Sequence, residues 1–294
     1  MIVVLGSTNT DMVISGSKIP VPGETVSGGS FAMNPGGKGA NQAVAAARLS
    51  AKRRQCMFIA KVGDDLFGRE TAARMKRDGI DARLVVDRRC ASGTALILVD
   101  KAGQNCISVA LGANGTLSPD DVKRFRKDIE GADALLLQLE TPLRTVLWAA
   151  KAAHAKKVPV VLNPAPAAKL PKELYGCLDW ITPNETEAEL LTGVKVTDLA
   201  SCRKAEAVLQ GRGVANVVIT LGSKGCYAAG RIHPCVKVKA LDTVDACDTF
   251  NGAFVVALTE GRTVADAIAF AQKASAISVT RHGAQPSIPF RREV

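Results

Sequence analysis

The stretch ALLLQLETPLRTVLWAAKAAHAKKVPVVLN, residues 134–163, contains the pattern that decides the fold. Two short aliphatic runs, 134–140 and 158–163, flank a segment, 142–157, that reads as a helix. The runs carry aliphatic residues in succession rather than in alternation, as strands do when helices cover both faces of their sheet. A strand, a helix and a second strand in this order predict two parallel strands joined by a crossover helix.

The same alternation of aliphatic runs and helical patterns continues on both sides of this stretch. Further buried strands are predicted at 1–6, 179–184 and 216–222, and further helices at 40–49, 67–78, 185–193 and 200–212. Repeated strand–helix units favour a parallel sheet, because each helix returns the chain to the edge where the next strand begins. We therefore predict an α/β fold with a doubly wound, mostly parallel central sheet and helices on both faces.

Two segments, 12–34 and 93–111, break this alternation and read as short β pieces. In the second, TALILVD and CISVAL read as the strands of a hairpin with Gly103 in its turn. We predict that the two segments form a small β-sheet lid over the ligand cleft, although they could instead extend the main sheet. The predicted domains are an α/β domain of residues 1–11, 35–92 and 112–294, and a β-lid of residues 12–34 and 93–111.

The composition narrows the classes of function. The 294 residues include 38 basic and 28 acidic side chains, a formal net charge of +10, and 4% aromatic residues. Because the basic residues are scattered and no nucleic-acid-binding motif occurs, we expect no nucleic-acid partner, and an anionic substrate such as a nucleotide explains the charge equally well. No segment approaches the ~20 apolar residues of a membrane span, so we expect no membrane partner. The start MIVVLGSTN reads as a strand and the eight cysteines form no C-x-x-C pair, which favours a cytoplasmic protein with reduced thiols.

The stretch DTVDACDTFNGAF, residues 242–254, is a candidate anion and catalytic site. A helix is predicted to begin near Asp248, with Phe250 and Phe254 on its buried side. The turn before it, 244–247, would leave backbone N–H groups unpaired, and these groups together with the helix dipole attract anions. Asp248 could take a proton from an attacking hydroxyl or could merely cap the helix, and this segment alone favours the cap.

The segment NPGGKGANQAVAAA, residues 34–47, is rich in glycine and precedes a predicted helix. It does not match the phosphate-binding template G-x-x-x-x-G-K-[ST], because Ala32 stands at the first glycine position and Gly39 follows the lysine. The double glycine instead lets a ligand approach the backbone closely, and Lys38 and Asn41 carry groups suited to sugar hydroxyls. An ordinary strand–helix turn would explain the segment equally well.

Further polar residues stand at strand ends and at a helix start. Asn9 and Asp11 follow the first predicted strand and Glu140 ends another, at the edge where ligands bind in open α/β sheets. For Asn9 and Asp11 a plain turn is the alternative. Asn184 and Glu187 could hold water around Mg²⁺, although acidic residues in a first helical turn also complement the helix dipole.

Together these segments resemble the ribokinase-like carbohydrate kinases. The resemblance runs nearly end to end and is carried by GSTNTDMV (6–13), NPGGKGANQAVAAARLS (34–50), TPNETEAE (182–189), TLGSKG (220–225) and DTVDACDTFNGAF (242–254). It implies ATP-dependent phosphorylation of D-ribose at its 5-hydroxyl, which gives ribose 5-phosphate and ADP. Three alternatives stay open: a kinase for another pentose such as 2-deoxyribose, a nucleoside kinase, and a sugar- or nucleotide-binding regulator with weakened catalysis.

The resemblance also implies roles for individual residues. Asp248 would be the general base, and the anion hole for the γ-phosphate would comprise Asp245, Ala246 and Cys247. The sugar would be bound by Asn9, Asp11, Gly37, Lys38, Asn41, Glu140 and Asp248. ATP and its Mg²⁺ would be bound by Asn184, Glu187, Thr220, Gly222, Gly225 and Gln272. A monovalent cation, K⁺, would be bound, mostly through carbonyl oxygens, by Asp242, Val244, Ser278, Arg281, Gly283 and Ser287. The β-lid would form the contact of a homodimer.

Two residues depart from the family's second signature, which usually has Gly or Ala where Asp245 stands and Gly where Cys247 stands. A carboxylate about 4 Å from a phosphate charge would cost up to about 4 kcal/mol at an effective dielectric near 20. We therefore expect a working but slow kinase in which Asp245 turns towards solvent or towards a cation. Cys247 adds bulk beside the phosphate, which matters more if its backbone must adopt positive φ.

Overall fold

The strands and helices follow the predicted alternation. In a computed structural model, which describes residues 1–52 and 55–294, the strands are β1 (Ile2–Leu5), β2 (Asn9–Ser15), β3 (Ser30–Gly36), β4 (Cys56–Gly63), β5 (Asp81–Asp87), β6 (Gly93–Val99), β7 (Asn105–Ala110), β8 (Ala134–Leu137), β9 (Val160–Leu162), β10 (Trp180–Ile181), β11 (Asn216–Thr220), β12 (Cys226–Ala228) and β13 (Arg231–His233). The helices are α1 (Lys38–Leu49), α2 (Leu66–Arg77), α3 (Pro119–Lys123), α4 (Arg126–Glu130), α5 (Leu143–His154), α6 (Lys172–Tyr175), α7 (Glu185–Thr192), α8 (Leu199–Gly211), α9 (Ala246–Thr259) and α10 (Val264–Ser278). Every predicted strand and helix is present. In the described part of the chain, no helix is both long and apolar enough to cross a membrane.

The central sheet has nine strands in the order β13-β12-β11-β10-β9-β8-β1-β4-β5. Neighbouring strands from β11 to β5 are parallel, whereas β12 and β13 run antiparallel at one edge. The chain starts with β1 inside the sheet and builds outward in both directions, so the predicted doubly wound fold is confirmed. In such sheets ligands bind at the carboxyl ends of the strands, near the point where the strand order reverses.

Alternate residues of β1 point into two cores, one on each face of the sheet. Val3 and Leu5 belong to the core beneath α5 and α8, whereas Ile2 and Val4 belong to the core beneath α1, α9 and α10. All four side chains are at most 2% exposed, which explains the unbroken aliphatic run of this strand. Burying one such side chain is worth about 1.5–3 kcal/mol, so the two helix layers hold the sheet firmly between them.

A second, four-stranded sheet has the order β3-β2-β6-β7. β2 pairs antiparallel with β3 and parallel with β6, and β6 and β7 form a hairpin whose turn contains Gly103 with φ 78°. The predicted small sheet is therefore confirmed, and its segments do not extend the main sheet. The domain boundaries stay a prediction, since β2 already begins at Asn9 and β3 continues to Gly36.

Candidate active site

Helices α1 and α9 cross closely at the carboxyl edge of the sheet. A Cβ added to Gly252 of α9 would lie 2.5 Å from the Ala45 Cβ of α1, so the crossing requires glycine. It brings two amides of α1 to Asp248 in the first turn of α9. Asn41 Nδ2 donates to Asp248 Oδ2 at 3.0 Å, and Gln42 Nε2 donates to Asp248 Oδ1 at 2.8 Å. Both oxygens of this carboxylate are thus held in place.

The Asp248 carboxyl is buried beside a lysine. It is 4% exposed, and this burial raises its pKa, while the positive charge of Lys38 and the two amide donors lower it. In turn, the Asp248 charge is the largest cause of the raised pKa of Lys38, with a smaller contribution from Glu140. A carboxylate with raised pKa and fixed orientation can accept a proton from a hydroxyl that lies within hydrogen-bond reach.

The first turn of α9 presents backbone N–H groups that lack intrahelical partners. The N–H of Ala246 donates to Thr243 O at 3.3 Å, whereas those of Cys247 and Asp248 have no acceptor among residues 1–52 and 55–294. Free N–H groups at the positive end of a 14-residue helix attract an anion such as a phosphate. The residues predicted to form the anion hole therefore lie beside the Asp248 carboxylate, although the Ala246 N–H already has a partner within the protein.

The Asp245 side chain is buried within the protein. It is 2% exposed, its Oδ2 accepts from Thr249 Oγ1 at 2.8 Å, and its Oδ1 has no partner among the described residues. Burial, followed by the nearby charge of Asp248, raises the pKa of Asp245 well above its usual range. The expectation that Asp245 turns towards solvent is therefore wrong, because the Thr249 hydroxyl, one helical turn further on, holds the carboxyl inside the protein. That Asp245 faces a cation stays a prediction.

The Cys247 thiol opens to the cleft, although protein surrounds it on most sides. Desolvation by these surroundings and the charge of Asp248 raise the pKa of Cys247 to about 11, so the thiol is protonated at neutral pH. The residue belongs to the first turn of α9 and has a helical backbone. It therefore does not need the positive φ that would make a side chain costly at this position.

The Asp245→Asn variant measures the cost of the buried carboxyl. The folded protein binds the Asp245 proton more tightly than the unfolded chain, so stability is lost as the pH rises through the raised pKa. Asn keeps an oxygen for the Thr249 hydroxyl and cannot ionise. We expect the variant to raise the free energy of unfolding by about 1–3 kcal/mol at mildly alkaline pH and to lose this gain in acid. Chemical denaturation across a pH series measures both, and a gain of equal size at every pH would contradict the account.

The residues predicted to bind the sugar converge around Lys38 and Glu140. Glu140 Oε2 accepts hydrogen bonds from the Lys38 backbone N–H at 3.0 Å and from Ser7 Oγ at 2.5 Å. Burial, followed by the Glu140 charge, raises the pKa of Asp11 to about 6. Asp11 and Glu140 therefore place two acceptor groups near the lysine that neighbours Asp248.

Gly37 stands where the chain passes from β3 to α1. Its φ is 90°, and a Cβ there would lie 2.7 Å from both Asn9 N and Thr8 Cα, so this position requires glycine. The close approach fixes Asn9 beside the start of α1, and Asn9 Oδ1 accepts from Asn114 Nδ2 at 2.8 Å. The predicted sugar residues thus lie together where the small sheet meets α1 and α9.

A cavity of about 730 Å³ opens beside the first turn of α9. Its lining includes Ala246, Cys247 and most of the residues predicted for the nucleotide: Asn184, Thr220, Gly222, Gly225 and Gln272. The Gln272 amide has a fixed orientation there, because its Nε2 donates to His233 O at 2.9 Å. Cavities of this size hold small-molecule substrates and cofactors. One space therefore connects the candidate anion hole with the predicted nucleotide residues.

Asn184 and Glu187 cap the start of α7. Asn184 Oδ1 accepts from the Glu187 N–H at 2.8 Å, and Glu187 Oε2 accepts from the Asn184 N–H at 2.9 Å. These bonds give both residues a structural role at the start of α7, as the alternative to a Mg²⁺ site predicted. Glu187 is not among the residues that line the cavity described above. Burial raises the pKa of Glu187, while the charge of Lys38 opposes this rise, so the carboxyl faces the same charged group as Asp248.

A family model describing pfkB family carbohydrate kinases matches residues 1–291. This chain belongs to that family. It is 48% identical to a ribokinase of Haemophilus influenzae over 296 residues, which cover 99% of this chain and 95% of that protein. It is 38% identical to a deoxyribokinase of Salmonella typhi over 294 residues, with 98% and 95% covered. Its fold matches the structure of an Arabidopsis thaliana ribokinase complexed with ribose and ATP at a TM-score of 0.90, 32% identity and coverage of 99% and 96%.

In this pfkB kinase, two segments that the family resemblance assigns to a monovalent cation lie against each other. The Asp242 carboxylate accepts hydrogen bonds from the N–H groups of Val244 and Gly283, both at 3.0 Å. The carbonyl of Ser278 already accepts the Arg281 N–H at 3.0 Å. Ser287 lies nearby in the chain and is buried. The structure thus brings Asp242, Val244 and Gly283 together, while one predicted carbonyl ligand has a partner within the protein.

One wall of the cavity beside α9 was not predicted from the sequence of this pfkB kinase. Val236, Lys237, Val238 and Ala240 line it, together with Phe250 of α9. The segment 236–240 forms no regular strand or helix, so no periodicity identifies it. The one sequence signal of this segment is its alternation of Val and Lys residues, and this pattern is equally typical of an exposed edge strand.

Proposed function

We propose that this chain transfers the γ-phosphoryl group of ATP to the 5-hydroxyl of D-ribose and releases ribose 5-phosphate and ADP. One observation carries the proposal: the Asp248 carboxylate lies in the same helical turn as the free N–H groups of Cys247 and Asp248. A proton acceptor next to an anion site suits a hydroxyl that attacks a phosphate. The relatives named ribokinase support ribose as the acceptor.

In this proposal the chain's own residues align the reactants and stabilise charge. Asp248 accepts the proton of the attacking hydroxyl, and the first turn of α9 stabilises the negative charge of the transferred group. Lys38 and Asn41, which both neighbour the carboxylate, orient the sugar. Phosphoryl transfer needs alignment and charge stabilisation more than covalent help from the protein. The lid excludes water, which would otherwise compete with the sugar as acceptor.

The proposal includes two cations. Glu187 and Asn184 carry hard oxygen donors that suit Mg²⁺, and the helix cap uses one Glu187 oxygen and leaves the other for a water on the metal. When bound, Mg²⁺ neutralises part of the phosphate charge. The Asp242 carboxylate and backbone oxygens of residues 278–287 suit K⁺, which would support the turn before α9 without touching the sugar.

We also propose that the protein is a cytoplasmic homodimer that associates through the β-lid. The lid strands β3, β6 and β7 expose large apolar side chains, each about half exposed or more: Phe31, Met33, Leu96, Ile107 and Val109. An apolar patch on a small sheet is typical of a protein–protein contact. The eight cysteines are free thiols, which suits a reducing compartment.

A second candidate function is phosphorylation of 2-deoxyribose, because a deoxyribokinase is among the relatives at 38% identity. Ribose and 2-deoxyribose differ in a single hydroxyl, and the spacing of the motifs does not indicate which of the two sugars binds. A nucleoside kinase and a regulator with weakened catalysis are the remaining alternatives. The substitutions at Asp245 and Cys247 are the observation that favours a regulator.

An assay of ADP formation with a panel of acceptors tests the proposal. The panel contains D-ribose, 2-deoxyribose, other pentoses and nucleosides, each with ATP and Mg²⁺, in the presence and absence of K⁺. We expect the highest kcat/KM with D-ribose and a further increase with K⁺. If 2-deoxyribose or a nucleoside gave the highest kcat/KM, that compound would replace D-ribose as the proposed substrate. Sugar binding without ADP formation for every acceptor would contradict the kinase proposal and favour the regulator.

Asp11 makes sugar binding dependent on pH. Its carboxyl is charged above its raised pKa of about 6 and neutral below it, and a neutral acid accepts weaker hydrogen bonds from sugar hydroxyls. We expect the KM for ribose to rise about 3- to 10-fold as the pH falls through this range, while the KM for ATP changes little. Steady-state kinetics of Asp11→Asn provide the control, since its KM for ribose should be high at every pH. A variant that keeps the wild-type pH dependence would rule out this role.

A further inference from the structure

A row of buried polar side chains lies behind Asp248. Gln138, Asn163 and Thr182 directly follow β8, β9 and β10, so they stand side by side at the carboxyl ends of three adjacent parallel strands. Gln42 of α1 lies between this row and the Asp248 carboxylate. These four side chains are at most 3% exposed, and none of them lines the cavity beside the first turn of α9.

Gln42 uses its whole carboxamide within the row. Its Nε2 donates to Asp248 Oδ1 at 2.8 Å and to Asn163 Oδ1 at 3.0 Å, and its Oε1 accepts from Gln138 Nε2 at 2.6 Å. Turning the amide over would set its oxygen against the oxygens of Asp248 and Asn163 and its nitrogen against a donor. The donor end of Gln42 therefore faces Asp248 in a single fixed orientation.

Gln138 holds this orientation although one of its own atoms is left without a partner. Its Oε1 is buried and has no hydrogen bond among the described residues, and it lies 2.0 Å from the position that a Cβ on Gly6 would take. An unpaired buried oxygen destabilises a protein. The unpaired oxygen of Gln138 thus lowers stability, while its amide nitrogen keeps the donor end of the Gln42 amide directed towards Asp248.

The same row reaches the first turn of α9. Asn163 Nδ2 donates to Thr182 O at 3.3 Å, and Thr182 Oγ1 donates to Asn251 Oδ1 at 2.6 Å. Asn251 Nδ2 in turn donates to Cys247 O at 2.8 Å. The carboxylate and the turn that carries the free N–H groups are therefore both tied to the ends of the same rigid strands.

We propose that Gln42 is a positioning residue that holds Asp248 Oδ1 throughout turnover, so that Oδ2 is the oxygen that takes the sugar proton. This inference rests on the proposed kinase function. Asn41, which holds Oδ2, is itself predicted to bind the sugar, so it can exchange this bond for one to substrate. Gln42 is fully buried and uses both ends of its amide, and it keeps its bond to Oδ1. Without it the carboxyl could rotate away from the attacking hydroxyl.

The charged and titratable groups that face Asp248 come from several elements. They are Lys38 of α1, Glu140 after β8, Glu187 of α7, and Asp245 and Cys247 of the turn that contains Asp248 itself. Most of these groups are acidic and favour protonation of Asp248. Gln42 is a neutral donor that favours the charged carboxylate, so its loss moves the acid limb of the kcat profile in a known direction, to higher pH.

The variant Gln42→Leu tests the inference in the full chain, with ATP and the preferred sugar as substrates. We expect kcat to fall by about 10- to 100-fold. Both KM values should stay within about 2-fold, because Gln42 touches no substrate. The acid limb of the kcat profile should move to higher pH. The matched control is Thr182→Val, which removes one buried hydrogen bond from the same row and should lower the unfolding temperature without moving the acid limb.

The outcomes separate the inference from the proposed function. If the wild type forms no ADP with any sugar, the proposed function fails and the inference falls with it. If the wild type is active and Gln42→Leu keeps both its kcat and its acid limb, the inference alone is overturned, as it is if Thr182→Val moves the limb equally. Should Gln42→Leu not fold, Gln42→Met removes the same donor while it keeps the length and nearly the volume of the glutamine side chain. This variant is then expected to lower kcat and move the limb the same way, and an unmoved limb contradicts the inference.

Discussion

The Asp248→Asn variant is expected to lower kcat by about 10²- to 10⁴-fold while it leaves the binding of sugar and ATP largely intact. Asn has nearly the same size as Asp, and its oxygen can still accept a hydrogen bond from Asn41 or Gln42. It cannot take a proton from a hydroxyl. Because burial disfavours the charged Asp248 carboxyl, its removal should not reduce the free energy of unfolding. Steady-state kinetics and chemical denaturation measure the two effects.

A matched variant separates loss of the base from general damage. Asp87→Asn removes another buried carboxylate, which pairs with Lys61 at 3.2 Å and does not line the cavity beside α9. This variant should unfold more easily, since Lys61 loses a buried partner, but should keep its kcat. The two variants thus have opposite profiles of activity and stability. A kcat for Asp248→Asn close to that of Asp87→Asn would contradict the role of Asp248 as the base.

The Lys38→Met variant is expected to lower kcat/KM for the sugar by about 10²- to 10³-fold. Lys38 is the positive charge that most strongly opposes the raised pKa of Asp248, and Glu140 and Glu187 also face it. Without it the acidic groups around Asp248 lose this counter-charge, so Asp248 should be protonated over a wider pH range. The acid limb of the rate profile should therefore move to higher pH.

The Lys38→Arg variant controls for the charge itself. Arg keeps the positive charge but differs in shape and in the geometry of its donors, so activity should fall while the acid limb stays near its wild-type position. Rate profiles of the two variants, recorded with saturating ATP and varied sugar, distinguish charge from fit. If the limb of Lys38→Met coincides with that of Lys38→Arg, the electrostatic role of this lysine is ruled out.

The central sheet could be predicted because strands that are buried on both faces carry unbroken aliphatic runs. The aliphatic runs at 134–140 and 158–163 correspond to β8 and β9, and α5 lies between them. Other elements leave weaker signals. β12 and β13 have three residues each, which is too short for a period to appear. α10 buries residues around much of its circumference, so its apolar residues do not form the single stripe that marks a surface helix.

The site could be predicted as far as motif spacing fixes the positions of residues. The stretch around Asp248 and the glycine-rich start of α1 both reach the same cleft, because Gly252 and Gly37 permit close approaches of the backbone. Motif spacing does not predict the direction in which a side chain points. The sequence predicts the correct turn for Asp245 but the wrong orientation, because its direction depends on the Thr249 hydroxyl rather than on local pattern.

The hydrogen bonds of the buried amides could not be predicted from the sequence for a related reason. A glutamine such as Gln42 is common in helices and usually faces solvent, so its identity alone points to no role. Its importance follows from three hydrogen bonds to residues far away in the chain, one of them to Asp248, and these arise only when α1 packs on the strand ends. Long-range packing of this kind has no signal in a single sequence.

The position of the phosphate on the sugar product shows whether Asp248 acts on the terminal hydroxyl of the sugar. In the proposed arrangement, the terminal hydroxyl of the sugar lies between the Asp248 carboxylate and the free N–H groups of the α9 turn. Phosphorus NMR and mass spectrometry of the reaction of D-ribose with ATP should therefore identify ribose 5-phosphate as the sugar product, formed in equal amount to ADP. Phosphate on any other hydroxyl, or ADP and free phosphate without a sugar phosphate, would contradict this arrangement.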